Sequence, residues 1–478
     1  MPTPEGPASD RAPQRELPRV LGMWSAASIL IGSIIGSGIF TKPATVAAVL
    51  PSPGWILVCW AGAGLLALIG SLVFAELGSY FPAAGGQYTY LLESFGKLPA
   101  FLFGWTNLLI INSASIAALA VISARFLFNL FPEAWQPERD SHWLQTVPVL
   151  MIFALAAANS MGVQWGAAIQ NLLTVLKLGA LGLIIVGLAF PGKVAWSNLS
   201  PFWEVRGDTT SQALWGGFKG AFIAIFWAYD GWYLLSFSGG EIRNPRRNIP
   251  AGFIVGILVV VGTYLVANLS YLCVLGLEDM QGLSEPGQVA EEAAFRLYGT
   301  VGVTLLSLGI LFSTFGAANG NVLTGPRLSY AMARDGLFFR RFGNIHARYL
   351  TPLFAIMAQA VLGAIYVYCG TFDQLTDAVV FAAWIFYLLT VVGYFRLRRR
   401  YRQRAGVFRA PGHPWLPGLF VIFSAWFIIY NFVDSAELAR RYIAGNADAV
   451  DGMYTIVSAI LILAGIPVYW YVRRSRRG

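Results

Sequence analysis

The sequence predicts an all-α polytopic membrane protein with about twelve transmembrane helices. Of its 478 residues, 56% are hydrophobic and only 12% are charged, whereas soluble proteins carry about 25% charged residues. The chain also contains a series of apolar runs, most of which are close in length to the roughly 20 residues that a helix needs to cross a bilayer. The predicted spans are 20–48, 54–81, 99–131, 145–161, 167–190, 214–238, 250–276, 299–332, 352–370, 374–396, 416–434 and 452–472.

The charged residues predict the orientation of these spans. Residues 1–19 are polar and rich in proline, which is typical of a disordered tail, and they lack the apolar core of a cleaved signal peptide. If this tail is cytoplasmic, the inner loops hold most of the arginines, including the run from Arg396 to Arg409 and the last residues, 473–478. Cytoplasmic loops of membrane proteins are enriched in Lys and Arg. We therefore expect both termini to face the cytoplasm.

The first span contains an interruption at its centre, Gly36-Ser37-Gly38. Glycine disfavours a helix and permits other backbone angles. A broken helix is tolerated at membrane depth only where it is buried in protein or faces a watery cavity. The break therefore indicates a site where bare backbone meets a polar ligand, although Gly32 and Gly36 would also suit close packing against a neighbouring helix.

The sixth span contains a second interruption, in the segment Trp227-Ala228-Tyr229-Asp230-Gly231-Trp232. Spans one and six begin two groups of five spans with opposite orientation. Two interrupted helices at matching positions are typical of an inverted-repeat transporter with discontinuous helices 1 and 6. The predicted organisation is a transport core over 20–398, with repeats over 20–190 and 214–398, a basic loop over 399–415, and two additional helices over 416–472.

Several motifs resemble those of one known family, and together they extend over nearly the whole chain. They are GSIIGSGIF at 32–40, FAELGSYFPAAGG at 74–86, WAYDGW at 227–232, GEIRNPRRNIP at 240–250, STFGAAN at 313–319, RLSYAMARDG at 327–336 and FRAPGHPWLP at 408–417. The chain resembles a prokaryotic member of the L-type amino acid transporters, in the amino acid–polyamine–organocation superfamily. The resemblance implies the five-plus-five inverted repeat, often called the LeuT fold, and amino acid exchange without sodium or any cofactor.

The sequence also departs from this family. Mammalian members pair with a heavy subunit through an external cysteine, but the predicted loop over 131–145 contains none, so we expect a carrier without a disulfide-linked heavy subunit. Many relatives have a small residue in place of Asp230 and phenylalanine in place of Trp227. These differences leave the side-chain preference open.

The two breaks supply the groups that an amino acid needs. The amides of Gly36, Ser37 and Gly38 would bind the carboxylate at a helix N-terminus. Free carbonyl groups of Ile34, Trp227 and Tyr229 would accept hydrogen bonds from the ammonium. We expect one segment of span six to line the substrate pocket, with simple packing as the alternative: Trp227, Ala228, Tyr229, Asp230 and Gly231. Within it, Trp227 is a candidate gate that covers the substrate. Asp230 would attract the ammonium or cap free N–H groups, and we favour capping.

A lysine in the fifth span, Lys177, is the other candidate functional residue. A lysine at the bilayer centre costs about 3 kcal/mol on insertion scales, unless it extends to the membrane surface. The family keeps a lysine in this span near the break of span one. The resemblance implies that its ammonium replaces a bound sodium ion, between the backbone near Ile34 and a hydroxyl group of span eight, most plausibly that of Ser313.

Other functions fit the sequence less well. A proton-coupled amino acid symporter remains the alternative within transport. A proton-pumping subunit of a respiratory complex needs many ionisable residues in its spans, whereas only Glu76, Lys177 and Asp230 lie clearly within them here. The three histidines fall in predicted loops, and the spans contain no paired carboxylates, so neither an intramembrane metal site nor an enzyme is expected.

Overall fold

The computed structural model describes residues 19, 21–82, 85–138, 141–161, 176–190, 192–204, 211–402, 406–445 and 451–474. Residues 1–18 and 475–478 of the predicted tails, and the start of the fifth predicted span, lie outside these residues. The regular structure of the described part is helical, apart from one isolated parallel bridge between Leu21 and Ile242.

The first span consists of two helices, α1 (Met23–Ile34) and α2 (Gly38–Val49), which are bent by 47° relative to each other. Ile35 has an extended backbone (φ −68°, ψ 97°) and ends α1, and α2 begins at Gly38. The predicted interruption is therefore present, and it divides this span into two halves of 12 residues each.

The next spans form the first half of the core. They are α3 (Pro53–Tyr80), the short α4 (Gly86–Phe95), α5 (Lys97–Thr106), α6 (Asn112–Phe128), α7 (Trp143–Ser160) and α8 (Leu176–Ala189). A π-helical turn, Asn107–Ile111, joins α5 and α6 into one span.

The second half begins with α9 (Ser211–Tyr229), which a turn at Asp230 and Gly231 separates from a 3₁₀ helix, Trp232–Glu241. This is the second predicted interruption. The remaining helices are α10 (Pro245–Leu275), α11 (Leu277–Gln281), α12 (Gln288–Arg334), α13 (Leu353–Cys369), α14 (Phe372–Arg400), α15 (Trp415–Ile443) and α16 (Asp451–Arg474).

Every predicted span corresponds to helix in the described residues. Eight helices are long and apolar enough to cross a membrane, and the bent pair α1–α2 makes a ninth span. Two shorter apolar helices, α8 and α13, match predicted spans five and nine, and the interrupted α9 segment matches span six. The two broken spans pack side by side, α2 against α9, and α10 packs against both α1 and α3.

The predicted inner ends of the core are joined by two sets of contacts. Leu21 pairs with the end of the 3₁₀ helix through Leu21 N–Glu241 O (3.0 Å) and Arg243 N–Leu21 O (2.8 Å). The carboxylate of Glu76 is fully buried and accepts hydrogen bonds from Tyr80 Oη (2.6 Å), Arg398 Nη1 (2.9 Å) and the amide of Ala410 (2.7 Å). Arg398, near the end of α14, and Arg409, which follows that helix, neutralise this carboxylate.

Candidate functional site

The two helix breaks face each other at short distance. A Cβ atom added to Gly38 would lie 2.2 Å from Cα of Ala228, so only glycine allows α2 to approach α9 this closely. Gly231 has a φ of +96°, and a Cβ there would lie 2.7 Å from the carbonyl oxygen of Ser33. Both glycines are therefore required by the mutual approach of the broken spans, and Gly231 also by its left-handed backbone.

A single tyrosine of α10 joins the ends of the two half-helices. The hydroxyl group of Tyr264 lies 3.1 Å from the carbonyl oxygen of Ile34 and 2.9 Å from that of Ala228. Its side chain is fully buried. Because these carbonyls come from the ends of α1 and α9, Tyr264 fixes the spacing between the two breaks.

The candidate gate, Trp227, contacts one residue of the break in span one and one residue of α14. Its indole Nε1 donates to the hydroxyl oxygen of Ser37 at 3.0 Å. Its ring meets that of Phe372 edge to face, with centroids 6.0 Å apart. Trp227 thus connects the break in span one to the beginning of α14.

The start of α2 presents unpaired backbone donors. Phe40 N and Thr41 N both donate to the carbonyl oxygen of Ser37, at 3.0 Å each. Within the described part of the chain, the amides of Gly36, Ser37 and Gly38 donate to no backbone carbonyl, as expected for the first N–H groups of a helix. These are groups that can bind an anion.

The carbonyl groups predicted to accept from an ammonium differ in their surroundings. Ile34 O already accepts from Tyr264, and Trp227 O accepts from the amide of Asp230 at 3.2 Å. A carbonyl oxygen has two lone pairs, so each keeps one acceptor position. The third predicted carbonyl belongs to Tyr229. The side chain of this residue points towards α3, where its hydroxyl donates to Trp60 O at 3.2 Å.

Asp230 lies at the break of span six and is connected to α14. Its Oδ1 accepts a hydrogen bond of 2.6 Å from the hydroxyl of Tyr387, and its carboxylate also interacts with the amide of Gly231. Both of these partners are donors from the protein itself. This arrangement supports the capping role over direct attraction of a substrate ammonium.

Lys177 extends into the protein and not to the membrane surface. Its side chain is 2% exposed, and Nζ donates to the carbonyl oxygen of Gly32, two residues before Ile34. The hydroxyl of Ser313 is buried and has no hydrogen-bond partner among the described residues. The lysine therefore meets the backbone of span one, and the Ser313 hydroxyl has an unused donor.

One cluster was missed by the sequence analysis. Lys42 is buried in α2, and its Nζ lies 2.6 Å from Asp373 Oδ1 and 2.7 Å from Thr376 Oγ1, both in α14. The same ammonium lies 4.8 Å from the ring centroid of Phe372, the residue that contacts Trp227. This cluster joins α2, the second half of span one, to α14.

The cysteines and metal-binding side chains add little to the site. Cys59 and Cys273 are buried, and Cys369 is exposed as the last residue of α13. Among the described residues, no group of three His, Cys, Asp or Glu side chains is arranged to hold a metal ion.

Comparison with known proteins identifies the family. The amino acid permease family matches residues 21–464. The chain belongs to the amino acid permease family. It is 32% identical to the serine/threonine exchanger SteT of Bacillus subtilis over 463 aligned residues. The alignment covers 96% of this chain and 98% of SteT.

Two human relatives are similarly close. The b(0,+)-type amino acid transporter 1 is 34% identical over 383 residues, 80% of this chain and 76% of its own. The cystine/glutamate transporter is 31% identical over 457 residues, 95% of this chain and 85% of its own. These relatives are L-type amino acid transporters, not enzymes. The chain is thus a polytopic permease of the amino acid–polyamine–organocation superfamily, with the inverted-repeat fold of that superfamily.

Proposed function

We propose that this permease exchanges neutral L-amino acids across the cell membrane by alternating access, without sodium. The observation that carries the proposal is the pair of facing breaks, with free amides at the start of α2 and carbonyl groups at the ends of α1 and α9. These groups match the carboxylate and ammonium that all amino acids share. The similarity to the serine/threonine exchanger supports a neutral substrate and an exchange mode.

Each candidate residue has a distinct role in this proposal. The amides of Gly36, Ser37 and Gly38 bind the carboxylate. The carbonyls of Ile34, Trp227 and Tyr229 bind the ammonium, and the ring of Trp227 covers the substrate on one side. Asp230 caps the broken segment, and its contact with Tyr387 transmits movement of α9 to α14.

Lys177 supplies a permanent cation in place of sodium. Its contact with Gly32 O supports this role, because the ammonium neutralises the carbonyl end of α1 within the membrane. Ser313 completes the site when α12 moves closer. If the lysine stays charged, exchange does not depend on pH. If the ammonium loses its proton during the cycle, transport becomes proton-coupled.

We further propose that the protein lies in the inner membrane of the cell, with both termini facing the cytoplasm. We also propose that the protein works without a heavy subunit. The arginines of the inner loops support this orientation. Reporter fusions after Arg396 and at the C-terminus should both give cytoplasmic signals, and a periplasmic signal at either position would reject it.

The decisive experiment measures uptake of labelled serine and a panel of neutral amino acids into proteoliposomes. We expect uptake to require unlabelled amino acid inside the vesicles and to be unchanged when sodium is replaced by choline. Severalfold stimulation by a sodium gradient into empty vesicles would reject the proposal. Stimulation by an inward proton gradient in empty vesicles would establish the symporter instead.

A further inference from the structure

A cavity of about 430 Å³ opens at the predicted cytoplasmic end of α16, far along the chain from either helix break. Its volume is within the roughly 300–1,000 Å³ of small-molecule sites. Three separate segments line it: the loop after α12, the beginning of α13 and the end of α16. The lining residues are Phe338, Phe339, Arg340, Arg341, Phe342, Phe354, Tyr471 and Val472.

The walls of this cavity are aromatic and ordered by contacts with each other. Phe342 meets Phe338 and Phe354 edge to face, with centroids 4.9 Å apart in both pairs. Phe338 and Phe342 are buried, whereas Phe354 and Tyr471 are exposed. The cavity therefore has a fixed apolar floor and an open apolar side at the ends of two spans.

The charged part of the lining is entirely cationic. Arg340 and Arg341 are both exposed, and no Asp or Glu is among the lining residues. Just beyond the cavity, α16 ends with Arg473 and Arg474, and the Arg473 guanidinium lies 5.4 Å from the ring centroid of Trp470. Two arginines thus line one apolar cavity at the end of a membrane helix, and two more follow Val472 directly in the sequence.

We propose that this cavity binds an acidic phospholipid of the cytoplasmic leaflet. Arg340 and Arg341 would contact the phosphate, since guanidinium groups form paired hydrogen bonds with phosphate oxygens. The aromatic side chains would contact the glycerol backbone and the first part of the acyl chains. Basic pockets between membrane helices on the cytoplasmic side are suited to such headgroups.

Two features favour this site over a merely topological role for the arginines. Arginines that only set orientation need charge near the membrane, and they need neither a cavity nor an aromatic floor. A free anion would use the arginines but not the exposed Phe354 and Tyr471. The inference goes beyond amino acid exchange and depends on the proposed orientation only for the choice of leaflet.

The test is native mass spectrometry of the full chain, titrated with phosphatidylglycerol and with phosphatidylcholine of the same acyl chains. Each basic residue near a membrane surface strengthens binding about fivefold, so Arg340→Gln/Arg341→Gln should weaken the first phosphatidylglycerol by on the order of 25-fold. Binding of phosphatidylcholine should stay unchanged. The matched control is Arg246→Gln/Arg247→Gln, another exposed pair at the predicted cytoplasmic side, which should bind as the wild type does.

Three results would overturn the proposal. The first is equal phosphatidylglycerol binding by wild type and Arg340→Gln/Arg341→Gln. The second is an equal loss in the control variant, which would mean that only the total charge matters. The third is displacement of the lipid by soluble glycerol 3-phosphate at similar concentration, which would make the cavity a site for free anions.

Discussion

Two glycines of the first break can be separated by experiment, because their surroundings differ. A Cβ on Gly38 would lie 2.2 Å from Cα and 2.6 Å from Cβ of Ala228. A Cβ on Gly36 would have nothing closer than Ile34 O at 3.8 Å and Ala317 Cβ at 3.9 Å. Replacement of Gly38 therefore tests packing and binding together, whereas Gly36→Ala tests binding alone.

The expected size of each effect follows from these distances. Ordinary carbon–carbon contact begins at about 3.5 Å, so Gly38→Ala must move α2 and α9 apart by roughly 1.3 Å. Such overpacking typically costs about 1–3 kcal/mol. If α2 and α9 separate to relieve this strain, a smaller fraction of the protein molecules can bind substrate. The apparent Kd for the substrate then rises by roughly 5- to 150-fold. Gly38→Val should act more strongly, and it cannot distinguish packing from a role in binding.

Gly36→Ala should leave thermal stability within about 0.5 kcal/mol of wild type. Its methyl group would nevertheless occupy space beside the amides proposed to bind the carboxylate, so we expect the Kd for a neutral amino acid to rise at least about tenfold. Binding is measured by scintillation proximity on purified protein, with thermal unfolding of the same samples. Gly320→Ala, which has open space around its Cβ, is the control. A wild-type Kd for Gly36→Ala would refute the proposed carboxylate site.

Three further substitutions test other contacts of the core. Lys177→Ala should insert normally but lose most exchange in proteoliposomes, through slower return of one state; exchange at the wild-type rate would reject the built-in cation. Tyr264→Phe removes the hydroxyl that is shared between Ile34 O and Ala228 O, and it should lower stability by about 1–3 kcal/mol together with transport. Tyr271→Phe, in the same helix and without a hydrogen-bond partner among the described residues, should change neither. Asp373→Ala should lower the melting temperature by leaving the buried Lys42 without its carboxylate, and Lys42→Met in the same chain should restore most of it; no recovery would contradict the pairing.

Much of the fold could be predicted because membrane spans have a strong local signal. Apolar length located every helix that crosses the core, and glycine at the centre of a span located both breaks. The prediction for Lys177 also depended on local evidence, since a lysine in an apolar run has few ways to be satisfied. Its contact with the backbone of span one needed the family resemblance, because the two residues are 145 positions apart.

The contacts missed by the sequence analysis are those in which a residue acts through a distant partner. Lys42 and Asp373 are 331 positions apart. Lys42 lies six residues before the end of the predicted span 20–48, and Asp373 directly precedes the predicted span 374–396, and a charge near the end of a span is ordinary. Tyr264 is one aromatic residue among many in α10. Only the approach of α1, α9 and α10 reveals that its hydroxyl joins two helix ends.

The inner and outer connections of the core differ in how easily they can break, and this difference indicates which side opens first. At the predicted inner side, the carboxylate of Glu76 is completely buried and is held by side chains of two helices and by the backbone of Ala410. At the predicted outer side, the side chain of Asp373 is 42% exposed whereas Lys42 is 1% exposed, so only one of the two partners is fully desolvated. Desolvated contacts are lost at greater cost than solvated ones. We therefore expect the substrate-free protein to open outward more readily, by separation of α2 from α14.

The test is Phe372→Cys in a chain without its native cysteines. This cysteine should react with a membrane-impermeant maleimide from outside, and the reaction should be faster when Asp373→Ala is added. Equal labelling with and without that substitution would show that the Lys42–Asp373 pair does not control access.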